Sequence, residues 1–400
     1  MLVGNILNNP FNSLKYLERY VNDGSPSGFA LSSSEKYCPF KGETDFYLPV
    51  LWSKKVITYG TIPNFVQNFF SDNGYLSIPF HPDDTLPNYL TEQVVSSKYK
   101  VSPTASPRTM VAEFGQSCYL KLNYNGVLGR INRQLPYRKA IAEVEVSKLI
   151  IEEVLKNDLN MGILSCPFCN NYSDDLVNFS FIYRDWQPFP QLEFKSIIIP
   201  CFSLFSTDRQ NKKDPLILNQ IIRLKEMDSC QFLEQYIFNV LKMYISLAKD
   251  YGLLPELNAQ NLLYEFDEEF NVIRPIIRDF MEVEKDLTIR RNKGLNIQLD
   301  SIKYKVLEKE NLDYFIRHSF SFDFKLTQYV IEPIVKLYCE SCNHDFFLMI
   351  KEIREFVLSE WGEDIKSHFY PYDKWFSVPK ILLANKNDRK YIINENPLLR

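Results

Sequence analysis

The sequence predicts an α+β protein, on three observations. Residues 117–131, SCYLKLNYNGVLGRI, alternate apolar and polar positions, which places Leu120 and Leu122 on one face of a strand and Tyr119, Lys121 and Asn123 on the other. Residues 261–280 read NLLYEFD, a polar turn EEFN, then VIRPIIRDF, an antiparallel hairpin. The C-terminal quarter, from DYFIRHSFSFDFKLTQYVIEPIVKLYCESC through DFFLMIKEIREFVLSEWGEDI, carries helical spacing.

The remaining elements follow along the chain. Residues 1–110 are rich in Pro, Ser, Asn and Asp and hold only short apolar pieces such as DFYLPVLW and GYLSIPF, so loops, short strands and isolated helices are expected there. RKAIAEVEVSKLIIEEVLKND has helical spacing over about five turns. NFSFIYRDW and FKSIIIPCFSLF read as strands. CQFLEQYIFNVLKMYISLAKDYG is an amphipathic helix stopped by Gly252 and Pro255. The expected division is a loop-rich region 1–110, a central α+β region 111–250, and a region 251–400 built from the hairpin and helices. The tail, WFSVPKILLANKNDRKYIINENPLLR, reads as irregular.

At 400 residues, with 45% apolar and 24% charged residues, the chain is long enough for two or three packed subdomains around a sizeable core. A net charge of −4 gives no electrostatic pull toward nucleic acid or an anionic membrane. The aromatic surplus, 30 Phe and 24 Tyr, therefore reads as core rather than as base-stacking platforms. MLVGNILNNPFNSLKYLERYV lacks the basic flank and unbroken apolar run of a signal peptide, and KSIIIPCFSLF is too short to span a bilayer. A cytoplasmic protein is expected, with its eight cysteines reduced.

The chemistry concentrates at the hairpin. Its entry, PELNAQN, supplies Glu256, Asn258, Gln260 and Asn261, and its exit supplies Arg278 and Asp279. A hairpin brings its ends together, so a carboxamide oxygen and a carboxylate at those ends are suited to Mg²⁺, which takes oxygen ligands and keeps waters and phosphate oxygens in its shell. Glu256 is a further oxygen ligand or a base. The competing reading is structural: Asn258, Gln260 and Asn261 satisfy a buried turn, and Asp279 pairs with Arg278 or Arg274. Upstream, SPTASPRTM offers Ser106, Arg108 and Thr109, followed by Lys121 and Arg133. Guanidinium forks and a lysine point charge suit a triphosphate or a carboxylate, although each of these residues taken singly reads equally as a surface charge. The acid five residues before an Asn, then a hairpin and an Asp, also matches the kinase catalytic loop and its metal-binding Asp, without a glycine-rich phosphate loop.

The order of these segments resembles the siderophore synthetases that work independently of nonribosomal peptide synthetases, the IucA/IucC-like family. YLSIPFHPDD resembles their PVHPWQ segment and SPTASPRTM their PTSSxRT loop. CYLKLNYNGVLGRINRQL is similar to their LKL…RT stretch, PELNAQNLLYEFDEEFNVIRPIIRDF to EAHxQNxLL…RDF, and VPKILLANK…NENPLL to the family tail. The resemblance runs from about residue 75 to the C-terminus. It implies a cupped-hand fold with a kinase-like palm, the region 111–250 as fingers and 251–400 as palm. It also implies activation of a polycarboxylate such as citrate by ATP and Mg²⁺ as an acyl-adenylate, captured by an amine or a hydroxyl. Ser106, Arg108, Thr109, Lys121, Arg133, Asn258, Gln260, Asn261, Arg278 and Lys380 would hold ATP and substrate, with Arg133, Lys121 and Glu256 acting in catalysis. Asn261, Asp279 and Glu256 would surround the metal. No nucleic-acid or membrane partner is implied, and the family is often dimeric.

The chain departs from the pattern where the family histidine is Asn258, where Ser25 stands in a GHPxHPxxK-like segment followed by Lys36 and Lys41, and where Gly129 and Arg130 replace threonines. It is also shorter at its N-terminal end. These losses keep open a silent relative that binds a carboxylate, a nucleotide or a partner. His81 reads as a loop-stabilising residue. The pairs Cys166/Cys169 and Cys339/Cys342 have the chemistry of a four-thiolate zinc site, but they lie far apart in the chain and packing cysteines is the simpler reading.

Overall fold

The structure, a computed structural model, describes residues 1–23, 35–37, 39, 42, 44–84, 86, 88–91, 94–125, 127–128, 131–157, 159–300, 305–311, 313–377 and 391–400. Its strands and helices form the α+β arrangement expected, organised on a main sheet of nine strands. In chain order these are β1 (Phe46–Ser53), β2 (Val56–Gly60), β3 (Ser71–Asp72), β4 (Tyr75–Pro79), β5 (Val94–Pro103), β6 (Thr109–Glu113) and β7 (Ser117–Lys121). After β8 (Gly162–Ile163), which belongs elsewhere, β9 (Phe168–Ser173) and β10 (Asn178–Asp185) complete it. The spatial order is β2-β9-β10-β7-β6-β5-β1-β4-β3, every neighbour antiparallel. Only Lys54 and Lys55 separate β1 from β2, yet β2 lies at one edge and β1 near the other. A two-residue link cannot span a flat sheet of that width, so the sheet curls until its edges approach.

The alternation read from residues 117–123 holds, with one difference. Cys118, Leu120 and Leu122 enter an aromatic core together with Phe179, Phe181 and Tyr183 from β10, centred on Phe70, whose ring stacks on Phe181 at 5.2 Å. The polar face is equally buried: Tyr119, Lys121 and Asn123 are all out of water. Helices and a second sheet cover that face. The second sheet runs β8, β13 (Val272–Ile277), β12 (Leu262–Phe266), β11 (Ile197–Pro200), and the expected hairpin is its centre, with Leu262 opposite Ile277. The boundary placed at residue 110 falls inside β6, which pairs with β5 on one side and β7 on the other, so the main sheet crosses it.

One expected strand is shorter than the sequence indicates. FKSIIIPCFSLF is extended only through Pro200 and then turns helical at Cys201–Leu204. Pro200 has no N–H to continue a ladder. The helix at 137 is continuous through Leu149, a π-turn Ile150–Val154 and a 3₁₀ turn Leu155–Asn157, as its spacing predicts. The tail is more regular than expected, since Lys374–Ser377 pairs with Ile392–Glu395. Near the N-terminus, Pro10–Tyr20 is a helix capped by Asn9, whose side chain accepts from the Asn12 N–H at 3.1 Å. Among the described residues no helix is long and apolar enough to cross a membrane.

Candidate functional site

The site forms where the polar face of β7 meets the ends of the hairpin. The loop Thr104–Thr109 between β5 and β6 is held tight by its own hydroxyls: Thr104 Oγ1 donates to the Thr109 carbonyl at 2.7 Å and accepts from the Ser106 N–H at 3.2 Å. This turn carries Ser106 and Arg108 over the start of β6. Lys121 lies opposite Thr109 on β7, and Arg184 extends from β10 on the same face.

From the other side, Asn261 opens β12 and Asp279 follows β13. Asp279 takes a left-handed backbone, φ 70° and ψ 74°, before the 3₁₀ turn Phe280–Glu282. A non-glycine residue in that region costs free energy and turns its side chain off the line of the strand. The hairpin end is tied together by the Arg278 N–H donating to the Asn261 carbonyl at 3.0 Å.

One cavity results, lined by Glu18, Thr104, Ser106, Arg108, Thr109, Lys121, Arg133, Arg184, Gln260, Asn261, Arg278, Asp279 and Met281, and enclosing about 50 Å³. That is room for one phosphoryl or carboxylate group, so a larger ligand must extend through the mouth. Nine residues anticipated from the sequence thus meet here: Ser106, Arg108, Thr109, Lys121, Arg133, Gln260, Asn261, Arg278 and Asp279. Glu256 and Asn258 do not line it. Asn258 Oδ1 accepts from the backbone N–H groups of Gln260 (2.9 Å) and Asn261 (3.2 Å), the turn-satisfying role. Glu256 pairs with Lys325 in a small adjoining cavity with Glu282, Glu284, Lys305 and Arg317. Lys380 lies outside the described residues, as do Ser25, Lys41, Gly129 and Arg130. Lys36 is exposed on the turn Glu35–Tyr37.

The electrostatics divide the cations into two sets. Lys121 bridges Asp279 and Glu143, the latter at 3.1 Å. Arg184 meets Glu143 at 2.6 Å, and Arg278 pairs with the buried Glu18 while its Nε donates to the Gln260 carbonyl at 2.9 Å. Asp279 therefore pairs with neither Arg278 nor Arg274; Arg274 is held by Glu265. Arg108 and Arg133 form the second set. Arg108 donates to the Arg133 carbonyl at 2.5 Å, and among the described residues no carboxylate pairs with either guanidinium. Burial, then the charge of Arg133, lowers Arg108 to about 10 against the pull of Asp279 and Glu143. Burial likewise lowers Arg133, with Asp279 and Glu256 acting against it. Burial pushes the Asp279 carboxyl up, but Lys121 and Arg184 outweigh it and hold it below the ordinary carboxylate range.

The residues fit a magnesium ion bridged to phosphate. Asn261 Nδ2 donates to the Glu256 carbonyl at 3.0 Å, which leaves its oxygen without a hydrogen bond among the described residues, as is one carboxylate oxygen of Asp279. Two protein oxygens suffice when phosphates and waters fill the rest of the shell. Among the described residues, no group of three or more His, Cys, Asp or Glu is arranged to hold a metal. Cys166 instead donates to Glu143 at 3.5 Å, and Cys339 packs against Met349. His81 is buried between the rings of Tyr37 and Tyr124, with Nδ1 accepting from the Asp83 N–H at 3.1 Å.

With the geometry in hand, the solved structures are informative. Petrobactin biosynthesis protein AsbB from Bacillus anthracis superposes with a TM-score of 0.66 over 89% of this chain and 68% of its own, at 14% identity. ATP-bound aerobactin synthetase IucA from Klebsiella pneumoniae gives 0.68 over 98% of this chain and 79% of its own, also at 14%. Aerobactin synthetase IucC from the same organism gives 0.61, over 82% and 66%, at 15%. The chain has the siderophore-synthetase fold. No protein-family model matches the sequence, and no curated protein matches it. Within the siderophore-synthetase fold, the cavity residues that sequence reading missed are Glu18, Thr104, Arg184 and Met281, with Glu143 directly behind them. Glu18 carried a signal, an acid one turn after Leu14 on the apolar stripe of its helix, whereas Glu143 stands one turn from Ala140 and Val146 in a helix buried on most sides, where no stripe sets it apart.

Proposed function

We propose that this chain is an ATP-dependent ligase of the siderophore-synthetase type, joining a polycarboxylate such as citrate to an amine or an alcohol through an acyl-adenylate. The observation that carries this reading is the charge of the cavity. Arg108, Lys121, Arg133, Arg184 and Arg278 face Glu18, Asp279 and the underlying Glu143, five cations against three carboxylates. The excess favours an anion in the cavity, and Arg108 with Arg133 offers it two guanidiniums not paired with carboxylates among the described residues.

In the proposed reaction a substrate carboxylate oxygen attacks the α-phosphorus of ATP, and the bond to the departing pyrophosphate breaks. The amine or hydroxyl then attacks the acyl carbon, loses its proton, and AMP leaves. Arg108 and Arg133 bind the anionic oxygens, and Lys121 adds a point charge where negative charge grows on the leaving group. Asn261 and Asp279 would hold Mg²⁺, which would neutralise charge on the phosphates. Ser106 and Thr109 offer hydroxyl donors at the rim.

The test is release of AMP and pyrophosphate from ATP and Mg²⁺ across a panel of polycarboxylates, with hydroxylamine to trap the acyl-adenylate. Carboxylate-dependent AMP that both Arg133→Ala and Asp279→Ala abolish is the expected result. Transfer of the γ-phosphate without AMP would instead identify a phosphotransferase. One observation favours a second reading, a silent relative that only binds: the Asn258 carboxamide is spent on its own turn and not on the cavity. Binding of ATP or citrate with no turnover on any acid would establish it.

A further inference from the structure

Glu143 is fully buried and does not line the cavity, yet three residues that do, Lys121, Arg184 and Met281, are hydrogen-bonded to it. It lies on the helix Tyr137–Leu149, between the polar face of the main sheet and the hairpin end. One carboxylate oxygen accepts from Arg184 of β10 at 2.6 Å and from the Cys166 thiol at 3.5 Å. The other accepts from Lys121 of β7 at 3.1 Å and from the backbone N–H of Met281 at 3.3 Å. Met281 belongs to the turn that follows Asp279, so one carboxylate fixes two cations on the sheet and the turn that aims the acid on the opposite side.

A neutralising counter-ion would need only proximity. Here the two oxygens serve different strands, one Arg184 of β10 and the other Lys121 of β7 together with the Met281 N–H of the turn. We infer that Glu143 is the positioning residue of this anion site, setting Lys121, Arg184 and the Asp279 turn in one register so that the cavity meets its ligand preformed. The inference rests on the reading of the cavity as an anion site, and it concerns geometry rather than net charge.

That distinction supplies the test. Glu143→Asp keeps the charge but withdraws the carboxylate by about one carbon–carbon bond, roughly 1.5 Å. Glu143→Gln keeps the reach and removes the charge. Both variants and the wild type are titrated calorimetrically with tripolyphosphate, which carries the phosphate charge without a nucleoside, and both variants are crystallised. Expected are affinities at least tenfold weaker for both variants, with Lys121 and the 280–282 turn displaced in the Asp variant while its melting shows a cooperative fold. Affinity of Glu143→Asp within twofold of wild type would overturn the inference, because a counter-ion is then all that is needed. If the wild type binds no polyanion, the reading of the cavity has failed. The crystal structures then decide the positioning role alone: Lys121, Arg184 and the turn unmoved in Glu143→Asp would overturn it, and their displacement would sustain it.

Discussion

Arg278 illustrates how much a single residue is asked to hold here. Its guanidinium is nearly out of water and rests on Glu18, itself 1% exposed, and on the carbonyl of Gln260. Removing one partner of a buried pair leaves a desolvated charge behind, a loss of about 3 kcal/mol or more. Glu18→Ala is therefore expected to lower unfolding stability in urea by at least about 3 kcal/mol, while Glu18→Ala combined with Arg278→Met recovers part of that loss. A single-variant midpoint equal to wild type would contradict this placement. At this scale the sequence showed the cations and acids of loops and strand ends, because motifs flank turns. It hid Glu18 and Glu143, because an acid inside a helix reads as an ordinary solvated residue; a count of the apolar stripe would have found Glu18, but Glu143 sits in a helix buried on most sides.

At the scale of elements, the hairpin and the long helices were readable from local pattern alone, since a hairpin needs only its turn and a helix only its stripe. The partners of the strands were not. Ser53-Lys54-Lys55-Val56 looks like a hairpin connection, yet β1 pairs with β4 and β5, and β2 pairs with β9. What decides this is packing across the curled sheet, which no short window of sequence contains. Gly60 marks the place where β2 meets β9. Its φ is +88°, and a Cβ there would stand 2.2 Å from the Pro167 carbonyl oxygen, a backbone atom that accepts from the Thr61 N–H. Gly60→Ala is expected to cost about 2–4 kcal/mol through the strained φ and the clash, or to abolish soluble expression. Thermal denaturation checks it, and a variant as stable as wild type would show that the β2 edge can shift freely.

The whole molecule should respond to acid through its buried histidines. Burial lowers His81 to about 4, despite the nearby Asp83. Burial, with the charge of His318, lowers His368 to about 3. Both therefore stay neutral in the fold over a range where the unfolded chain, with histidine near 6.5, already takes up protons. Stability is fully present above about pH 6.5 and falls as pH drops toward the folded values, by up to about 3 kcal/mol for His81. Urea unfolding at neutral pH and near pH 4.5 should show a smaller loss for His81→Gln than for wild type. Equal losses would mean that other groups govern the acid limb. The α+β class was legible from composition and periodicity, whereas the joining of N-terminal and C-terminal segments around one cavity was expected only through the family resemblance, because its contacts are remote in sequence.

Those remote contacts bear on how the chain reaches its finished state. Lys121 and Asp279 are 158 residues apart, and Glu18 and Arg278 are 260 apart. Closing such loops is entropically slow, so these pairs belong among the late events of folding. A polyanion that needs both sides of the cavity has nothing to hold in a partly assembled chain. It would therefore act as a selective brake on unfolding, slowing loss of the native state without hastening its formation.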